Sequence, residues 1–353
     1  MDFSRDYLQR QLTDLPADAC SWIAYSGGLD SHSLLHALTA LRPGLPCRIA
    51  AVHVNHGLQV GAEAWDEHCR AVCAGLGVPY VSLQVDGRAA SGESREAAAR
   101  AARYAVLKAW LPQRHYLMTA QHRDDQAETL LLQLLRGSGV KGLAAMPRLA
   151  PFGGGYLMRP LLGCSRDALL DYAGANRLNW VDDPSNRDIS LDRNFLRHQV
   201  LPVLRQRWPA LSATLSRSAR HCAEAAMILE DLARQDLETL FDESKDTLPV
   251  PGLLQLPPQR QRNSLRQWLT AKSGTTPSEA VLARIVNDIL DGRTDAETCV
   301  RWGACELRRY RDCLYLLPQV PWQGTPASIE WRPETALELP QAGGVLSASR
   351  RTG

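Results

Sequence analysis

Short apolar runs alternate with helical patterns through the first half of the chain. The runs predict buried strands, and they lie at residues 22–25, 49–54, 80–85 and 115–120. After each run, apolar residues recur at helical spacing and predict helices over 32–41, 63–76, 94–110 and 125–136. This alternation predicts an α/β fold in which a parallel sheet carries helices on both faces, with ligands at the carboxyl ends of the strands.

The alternation of strands and helices ends near residue 200, where Leu201-Pro202 and Trp208-Pro209 interrupt the helical pattern. Beyond this point, residues 211–242 predict one long helix and residues 299–317 predict a hairpin. Between them, Thr276-Pro277-Ser278-Glu279 predicts a capping box that opens another helix, with proline at the first helical position.

These patterns divide the chain into three segments. We predict an α/β domain over residues 1–207, a mainly helical domain over 208–320, and a linker with the incomplete start of a third domain over 321–353. The last segment is rich in proline and glycine and ends soon after Leu337-Glu338-Leu339-Pro340. We therefore expect a shortened third domain.

The composition is that of a globular protein and narrows the partner classes only slightly. Forty Lys and Arg residues face 38 Asp and Glu residues, so a nucleic-acid partner would need a local basic patch. No apolar run approaches the ~18 residues of a membrane span, and the polar start shows no secretory signal. We therefore predict a cytoplasmic protein with no membrane partner.

Nine cysteines occur without any Cys-x-x-Cys pair, which counts against a zinc ribbon or a cysteine-held iron–sulfur cluster. Their odd number and the missing signal predict reduced thiols. Cys69 and Cys73 lie on the apolar stripe of the 63–76 helix, whereas His68 does not. We therefore expect core packing at these two cysteines and no metal site.

One loop carries the strongest chemical signal in the sequence. Ser26-Gly27-Gly28-Leu29-Asp30-Ser31 follows the first predicted strand and opens the first predicted helix. Two glycines let the backbone approach a bulky anion, and the free N–H groups and helix dipole favour negative charge at the same point. A carboxylate beside phosphates requires a bridging cation, so Asp30 indicates a metal ion. The loop lacks the lysine of P-loop NTPases.

This hexapeptide resembles the PP-loop of the N-type ATP pyrophosphatases. Other segments are similar to the tRNA(Ile)-lysidine synthetase family within that superfamily, densely over about residues 15–210. They are VHVNHGL at 52–58, ARAARY at 99–104, HRDDQAETLLLQLLRGSGVKGL at 122–143, RPLL at 159–162, and WVDDPSN followed by DRNFLRHQVLP at 180–202. The block at 122–143 and the later Arg193-Asn194 segment are more specific than the loop alone.

The resemblance implies a reaction and its participants. Members of the family use ATP, with Mg²⁺, to adenylate carbon 2 of the wobble cytidine in the isoleucine tRNA that carries a CAU anticodon. The amine of L-lysine then displaces AMP, which gives lysidine, and pyrophosphate is released in the activation step. Adenylation is needed because a ring carbonyl oxygen is a poor leaving group. The implied partners are therefore this tRNA, which the domain over residues 208–320 is expected to contact, and free lysine.

The resemblance also implies residue roles. The nucleotide would contact the loop residues Ser26, Gly27, Gly28, Leu29, Asp30 and Ser31, together with His53. The implied catalytic residues are Asp30, Arg103, His122, Asp124 and Asp125. The implied substrate-binding residues are Arg100, Arg103, Glu128, Arg193 and Asn194, and the implied metal ligands are Asp30 and Asp125.

Several of these residues have structural alternatives. Asp125-Gln126-Ala127-Glu128 is also a variant capping box, and either Asp124 or Asp125 could bind Mg²⁺ or the lysine ammonium. Glu96, Arg100 and Arg103 share one helix face, which could be a solvated ion-paired surface or could present guanidinium groups to RNA. The segment 137–142 matches Gly-x-Gly-x-x-Gly but follows a helix, so we predict a helix-ending loop there.

Two other functions stay open at this point. One is a different PP-loop enzyme, such as a tRNA thiolase or an amide-forming synthetase. The other is a tRNA-binding relative that has lost catalysis. Arginines beyond residue 208 could follow phosphates or form a plain solvated face; they are Arg217, Arg220, Arg260, Arg262 and Arg266.

Overall fold

The computed structural model of the chain describes residues 3–13, 15–16, 19–55, 62–85, 95–240, 246–290, 299–318, 336–339 and 344–346. These residues fall into two compact units, Met1–Ile228 and Leu229–Gly353. The division lies inside a helix, whereas the sequence predicted a boundary at 207/208, which stays a prediction.

A six-stranded sheet forms the centre of the first unit. Its strands are β1 (Cys20–Ala24), β2 (Arg48–Asn55), β3 (Tyr80–Gln84), β4 (Tyr116–Met118), β5 (Leu149–Phe152) and β6 (Gly155–Met158). The order is β3-β2-β1-β4-β6-β5, and every neighbouring pair is parallel except β5 and β6 at one edge. The predicted parallel α/β sheet is confirmed, with an antiparallel edge strand in addition.

Helices cover both faces of this sheet because successive strand residues point to opposite sides. The helices of the first unit are α1 (Arg5–Gln11), α2 (Leu29–Leu41), α3 (Ala62–Gly75), α4 (Arg95–Trp110), α5 (Arg123–Leu135), α6 (Val140–Leu143), α7 (Arg166–Ala175), α8 (Asp192–Phe195) and α9 (Leu201–Arg207). A tenth helix, α10 (Leu211–Leu240), begins in the first unit. In β1, Ile23 packs in the core that includes α2 and α3, whereas Trp22 packs on the opposite side with α4. Cys69 and Cys73 are fully buried in the first of these cores, as predicted.

The second unit combines helices with a small antiparallel sheet. After α10 come β7 (Leu248–Pro249), α11 (Val250–Leu254), α12 (Pro258–Ser273), α13 (Glu279–Arg284), β8 (Cys299–Trp302), β9 (Cys305–Tyr310) and β10 (Cys313–Pro318). The sheet order is β7-β10-β9-β8. Its inner face buries Val300, Leu307 and Leu314 against Leu265 and Leu269 of α12. The pair β11 (Leu337–Leu339) and β12 (Gly344–Leu346) is antiparallel.

Two local predictions are wrong. The chain stays helical through Leu201-Pro202, because a π-type turn at Leu196–Val200 leads into α9 and its wider loop accommodates a residue without an N–H group. The cap of α13 is Ser278, whose hydroxyl accepts the Val281 N–H, and not Thr276. Trp208-Pro209 does end α9, as expected.

No helix among the described residues is long and apolar enough to cross a bilayer.

Candidate active site

The Ser26–Ser31 loop holds its shape through hydrogen bonds to its own backbone. The Ser31 hydroxyl donates to the Gly28 carbonyl at 3.1 Å and accepts the Ser26 N–H at 3.2 Å. The α2 helix begins immediately, with Gly28 in extended conformation as the N-cap and without a side-chain cap. The first amides of α2 are therefore left for another acceptor, and an anion is what a helix N-terminus favours.

Gly27 can only be a glycine in this loop. Its φ is +76°, and a Cβ atom would lie 2.6 Å from Trp65 Nε1 and 3.0 Å from Cys69 Sγ. The indole of Trp65, on α3, donates to the Ser26 carbonyl at 2.6 Å. Hydrogen bonds of its own serine hydroxyls and contacts with α3 side chains thus fix the conformation of the loop.

Two more segments contact the loop. The Val181 N–H donates to the Gly27 carbonyl at 3.0 Å, and His53 Nδ1 lies 2.9 Å from the Tyr25 carbonyl oxygen. Burial lowers the pKa of the His53 imidazole, and the charge of Arg103 acts in the same direction. The neutral ring must donate through Nδ1 to that carbonyl, so its Nε2 is an acceptor.

Asp30 has one oxygen that the protein does not use. Its Oδ1 is buried and accepts no hydrogen bond, whereas Oδ2 lies 3.6 Å from His122 Nε2. A buried carboxylate oxygen without a donor costs free energy unless a cation or another donor meets it. Asp30 is therefore the residue of the loop that is suited to a metal ion.

His122 connects Asp30 to the start of α5. It is the N-cap of that helix: its Nδ1 accepts the Asp125 N–H at 3.3 Å, and Asp125 Oδ2 accepts the His122 N–H at 2.9 Å. The capping box therefore joins His122 and Asp125, and the predicted box from Asp125 to Glu128 is wrong. With Nδ1 as acceptor, the neutral ring points its Nε2 proton towards Asp30 and Asp125, whose nearest oxygens lie at 3.6 and 3.4 Å.

The charge state of His122 depends on its surroundings. Burial disfavours the imidazolium, but the carboxylates of Asp125, Asp30 and Asp124 outweigh burial and raise the pKa of His122. Protonation would place its second proton on Nδ1, where Asp124 Oδ2 lies 3.9 Å away. The cost would be the hydrogen bond from the Asp125 amide.

Asp125 and Glu128 share a pair of arginines. Glu128, almost fully buried, accepts Arg193 Nε at 2.8 Å and Arg197 Nε at 2.6 Å. Asp125 Oδ1 accepts Arg197 at 2.8 Å and has Arg193 at 3.7 Å. Burial alone would raise the pKa of Asp125, but His122, Arg193 and Arg197 hold it below the ordinary value. The two arginines therefore favour the ionised form of Asp125 and bind Glu128 directly.

Asp124 is engaged in a different direction. Its Oδ1 accepts the Ser212 hydroxyl at 2.6 Å and the Arg205 guanidinium, while its Oδ2 accepts the Arg166 N–H at 2.9 Å. Burial opposes these contacts, yet they hold the pKa of Asp124 below its ordinary value. Both oxygens thus already have protein donors, in contrast to Asp30.

Asn194 acts on the segment that touches the loop. Its amide donates to the Ser185 carbonyl at 2.9 Å and the Asp188 carbonyl at 3.0 Å. These bonds tie the start of α8 to the 180s segment, whose Val181 reaches Gly27. Asn194 therefore helps to position the segment that contacts the Ser26–Ser31 loop.

Arg100 and Arg103 lie on α4 and are exposed. The Arg100 guanidinium carbon lies 5.2 Å from the centre of the Tyr104 ring. Arg103 acts electrostatically on His53, and Asp183 acts on Arg103, so Arg103 is near the loop edge of the sheet. Glu96 lies outside the described side chains, as do residues 56–58 of the VHVNHGL segment.

The two predicted metal ligands, Asp30 and Asp125, differ in their surroundings. Mg²⁺ takes one or two carboxylates and completes its shell with phosphate oxygens and water, so it needs no all-protein cage. Asp30 fits this pattern through its unused Oδ1. Asp125 faces two guanidinium groups, which favour an anion, so a metal there stays a prediction. Among the residues in the structure's described ranges, no group of three or more His, Cys, Asp or Glu side chains could hold a metal alone.

Sequence reasoning placed Arg193 and Arg197 in a basic segment lining the site but did not foresee their partners. The pairing of Arg197 was hidden, although Arg193 and Arg197 are four apart and face Asp125 and Glu128, three apart on another helix. Matched helical spacing of opposite charges is the signal that points to such a pair. The roles of Trp65 and Ser212 have no comparable local signal.

Comparison with known proteins agrees with this geometry. A family model described as a PP-loop domain matches residues 4–204, and one described as a TilS substrate binding domain matches residues 248–315. The U34-tRNA thiolase NcsA from Methanococcus maripaludis, solved with its 4Fe-4S cluster, is similar in fold: the TM-score is 0.53 at 15% identity over 62% of this chain and 77% of that one. The first unit is therefore that of a PP-loop protein.

Full-length relatives narrow the class further. The tRNA(Ile)-lysidine synthase of Coxiella burnetii is 43% identical over 99% of this chain and 78% of its own length. That of Methylococcus capsulatus is 46% identical over 90% of this chain and 72% of its own length. The chain belongs to the tRNA(Ile)-lysidine synthase family.

Proposed function

We propose that the chain is an ATP-dependent ligase that joins L-lysine to carbon 2 of the wobble cytidine in the isoleucine tRNA with a CAU anticodon. ATP is consumed to AMP and pyrophosphate, and the product is lysidine. Family membership supports the reaction. The observation that carries it in the structure is the Ser26–Ser31 loop, with uncapped α2 amides beside the unused Asp30 Oδ1.

The loop is proposed to hold the triphosphate. Backbone amides at the start of α2 and the Ser26 hydroxyl would donate to phosphate oxygens, while the Ser31 hydroxyl, which donates to the Gly28 carbonyl, would hold the loop in shape. Asp30 would hold Mg²⁺, which when bound neutralises phosphate charge and makes pyrophosphate a better leaving group. His53 would accept a nucleotide N–H or O–H group through Nε2, because its Nδ1 is bound to Tyr25.

His122 is proposed to position the carboxylates. As the α5 cap it is almost fully buried, and its Nε2 faces Asp30 Oδ2 and Asp125 Oδ2. This contact would orient Asp30 so that its Oδ1 remains without a protein donor and can bind Mg²⁺. Asp124, which has no free oxygen, would orient the start of α5 through Ser212 and Arg205.

The nucleophile must reach the activated carbon as a neutral amine. We propose that the carboxylates of Asp30, Asp124 and Asp125 together attract the lysine ammonium group, while Arg197 and Arg193 hold Asp125 in place. Loss of solvent around the bound ammonium group would favour its neutral form, and the released proton would pass to a carboxylate of the site. Arg100 and Arg103, exposed on α4, are proposed to meet the tRNA near the reacting base. Because tRNA and ATP meet in the cytoplasm, we infer that the reaction takes place there.

The direct test is incorporation of labelled lysine. The protein is incubated with ATP, Mg²⁺, labelled L-lysine and the CAU-anticodon isoleucine tRNA, with Asp30→Asn and, as a matched control, Asp171→Asn at an exposed position on α7. We expect label in the tRNA with the unchanged protein and the control, and none with Asp30→Asn. Release of pyrophosphate without lysine in the tRNA would overturn the proposal.

A further inference from the structure

The sheet of the second unit has an outer face whose side chains are not part of the buried core. Along β9, Glu306, Arg308 and Tyr310 alternate with inward residues. Their cross-strand partners are Cys299 and Arg301 on β8 and Cys313, Tyr315 and Leu317 on β10. We call this set the outer sheet face. Its members include a tyrosine that is 60% exposed, Tyr310, and a leucine that is 42% exposed, Leu317. An exposed mixture of aromatic and cationic side chains calls for a partner.

The two arginines of the outer sheet face are held as a pair. Arg301 donates its Nε to Glu306 at 2.5 Å, and Arg308 donates its Nε to the other oxygen of the same carboxylate. Each guanidinium group uses its Nε in these bonds, which leaves terminal N–H groups that can donate to another acceptor. Two preoriented forks side by side match the oxygens of phosphate groups.

Tyr310 supplies an aromatic surface beside this pair. Its ring lies 6.3 Å from that of Tyr315 at an interplanar angle of 64°, and the guanidinium carbon of Arg311, in the turn, lies 5.2 Å from its centre. Arg301, Arg308 and Arg311 outnumber Glu306 and Asp312, so this part of the unit carries an excess of positive charge. Cations next to open aromatic rings are the combination that RNA-binding sheets use.

Other exposed arginines of the same unit lack these features. Arg234 pairs with Asp231 three residues away, Arg266 with Glu279, and Arg284 with Asp288. Each of these cations has its own carboxylate and no neighbouring aromatic ring among the contacts of the described residues. They form solvated ion pairs of small energetic consequence.

We propose that the outer sheet face binds the sugar–phosphate backbone of the tRNA, with Arg301 and Arg308 as paired phosphate ligands and Tyr310 packed on an accessible base or ribose. The inference depends on the proposed function only for the identity of the RNA as tRNA. The contact is of the kind that positions an RNA and is independent of sequence.

The test measures binding of the tRNA to the full chain over a series of KCl concentrations. The variants are Arg301→Gln with Arg308→Gln, and the matched control is Arg266→Gln with Arg284→Gln, which removes the same charge from the helices. We expect the sheet variant to bind roughly tenfold more weakly and to lower the slope of log affinity against log salt by about 1.5. Equal effects of the two double variants would overturn the inference, because they would show a purely global charge effect.

The arginine variants also remove ion pairs with Glu306 and could change stability. A second pair of variants, at Tyr310, therefore tests binding without removing these ion pairs. Tyr310→Ala is expected to weaken binding roughly tenfold, and Tyr310→Phe to keep it, because stacking needs the ring and not the hydroxyl. Unchanged affinity in Tyr310→Ala, with thermal unfolding like that of the wild type, would contradict the proposal. So would displacement of the tRNA by polyglutamate at equal charge, which would indicate an acidic protein as the partner.

Lysine incorporation by the unchanged protein is measured in parallel and separates the two claims. If incorporation fails while tRNA binding depends on the outer sheet face, the proposed function is wrong and the inference stands. If incorporation succeeds while the sheet variants bind tRNA like the wild type, the inference is wrong and the function stands.

Discussion

At the scale of single residues, Asp30 and Gly27 do the most specific work in the first unit. Asp30 leaves one buried oxygen without a protein donor, and Gly27 adopts a backbone conformation that places the neighbouring amides. The functions of these two residues are separable, because one is electrostatic and the other is steric. Each leads to a prediction of its own.

Asp30→Asn is expected to remove the metal-binding charge while leaving the loop intact. Pyrophosphate release should fall by roughly a hundredfold or more, because neutralisation of the phosphates is lost. Affinity for tRNA should change little, since Asp30 faces the nucleotide loop. Pyrophosphate assays and tRNA binding measure the two effects, and lost tRNA binding with intact turnover would refute the assignment.

Gly27→Ala is expected to destabilise the protein by roughly 1–3 kcal/mol and to weaken ATP binding. The new Cβ would meet Trp65 and would sit at a φ of +76°. Gly44 is the control, because an added Cβ there has no atom within 4 Å. Urea unfolding should give a change within about 0.5 kcal/mol for Gly44→Ala. Equal unfolding free energies of the two variants would show that the close packing of Gly27 against α3 does not contribute to stability.

Sequence reasoning found the loop but not all of its supports. The hexapeptide Ser26–Ser31 carries its own evidence, because glycine, serine and aspartate have local conformational and chemical meaning. Trp65 donates to the Ser26 carbonyl across 39 residues of sequence, and Ser212 donates to Asp124 across 88. Contacts between such distant residues depend on how the helices pack, which no local pattern encodes.

At the scale of elements, the start of α5 organises the site. His122 caps the helix, Asp125 completes the capping box, and Glu128 lies one turn further along. The segment 193–200 brings Arg193 and Arg197 against these carboxylates. Helix capping and charge pairing therefore support the same local geometry.

Glu128→Ala is expected to cost about 3–5 kcal/mol of unfolding free energy, because it leaves two largely buried guanidinium groups without their main partner. Asp192→Ala removes one partner of the exposed pair between Arg136 and Asp192, which lie 3.8 Å apart, and serves as control. That change should cost at most about 1 kcal/mol. Chemical denaturation measures both. A loss at Glu128 no larger than at Asp192 would contradict the described pairing.

The hairpin of β5 and β6 shows why some elements escape a sequence pattern. Its turn contains Gly153 and Gly154, and β5 contains Pro151, all of which are typical of loops. The β6 strand begins at Gly155, which packs closely against the neighbouring backbone. A Cβ there would lie 2.1 Å from the His115 carbonyl oxygen. Proline is tolerated because β5 is the edge strand.

At the scale of the whole molecule, the buried histidines link stability to pH. Burial lowers the pKa of His32, His36 and His53, so these rings are neutral in the folded state. In the unfolded chain they take up protons below about pH 6.5. The unfolded state then binds more protons, and the unfolding free energy falls as the pH drops. His122, with a raised pKa, offsets part of this loss.

Urea unfolding between about pH 7.5 and about pH 5.5 tests this linkage. Stability should decline on acidification, and His36→Gln should make the decline shallower. The glutamine can still bond to Tyr172, whose hydroxyl lies 2.9 Å from His36 Nδ1. Constant or rising stability towards pH 5.5 would contradict the assignment of neutral buried rings.

The overall architecture was more predictable than the details of the second unit. A continuous apolar run is a strong signal where a parallel strand is buried on both faces, as in Ile49–Val54. In the second unit the helices α11, α12 and α13 precede a run of strands, β8, β9 and β10, and the π-type turn at Ile285–Leu290 has no distinct sequence signature. The small sheet was anticipated as a hairpin only, because the pairing of Leu248–Pro249 with β10 is a long-range contact.

A crystal structure of the protein with ATP and Mg²⁺ tests the central claim most directly. The account predicts the triphosphate against the backbone amides of residues 26–31, with Mg²⁺ bound to Asp30 Oδ1. A triphosphate bound at another place, with the loop left empty at saturating nucleotide, would contradict it.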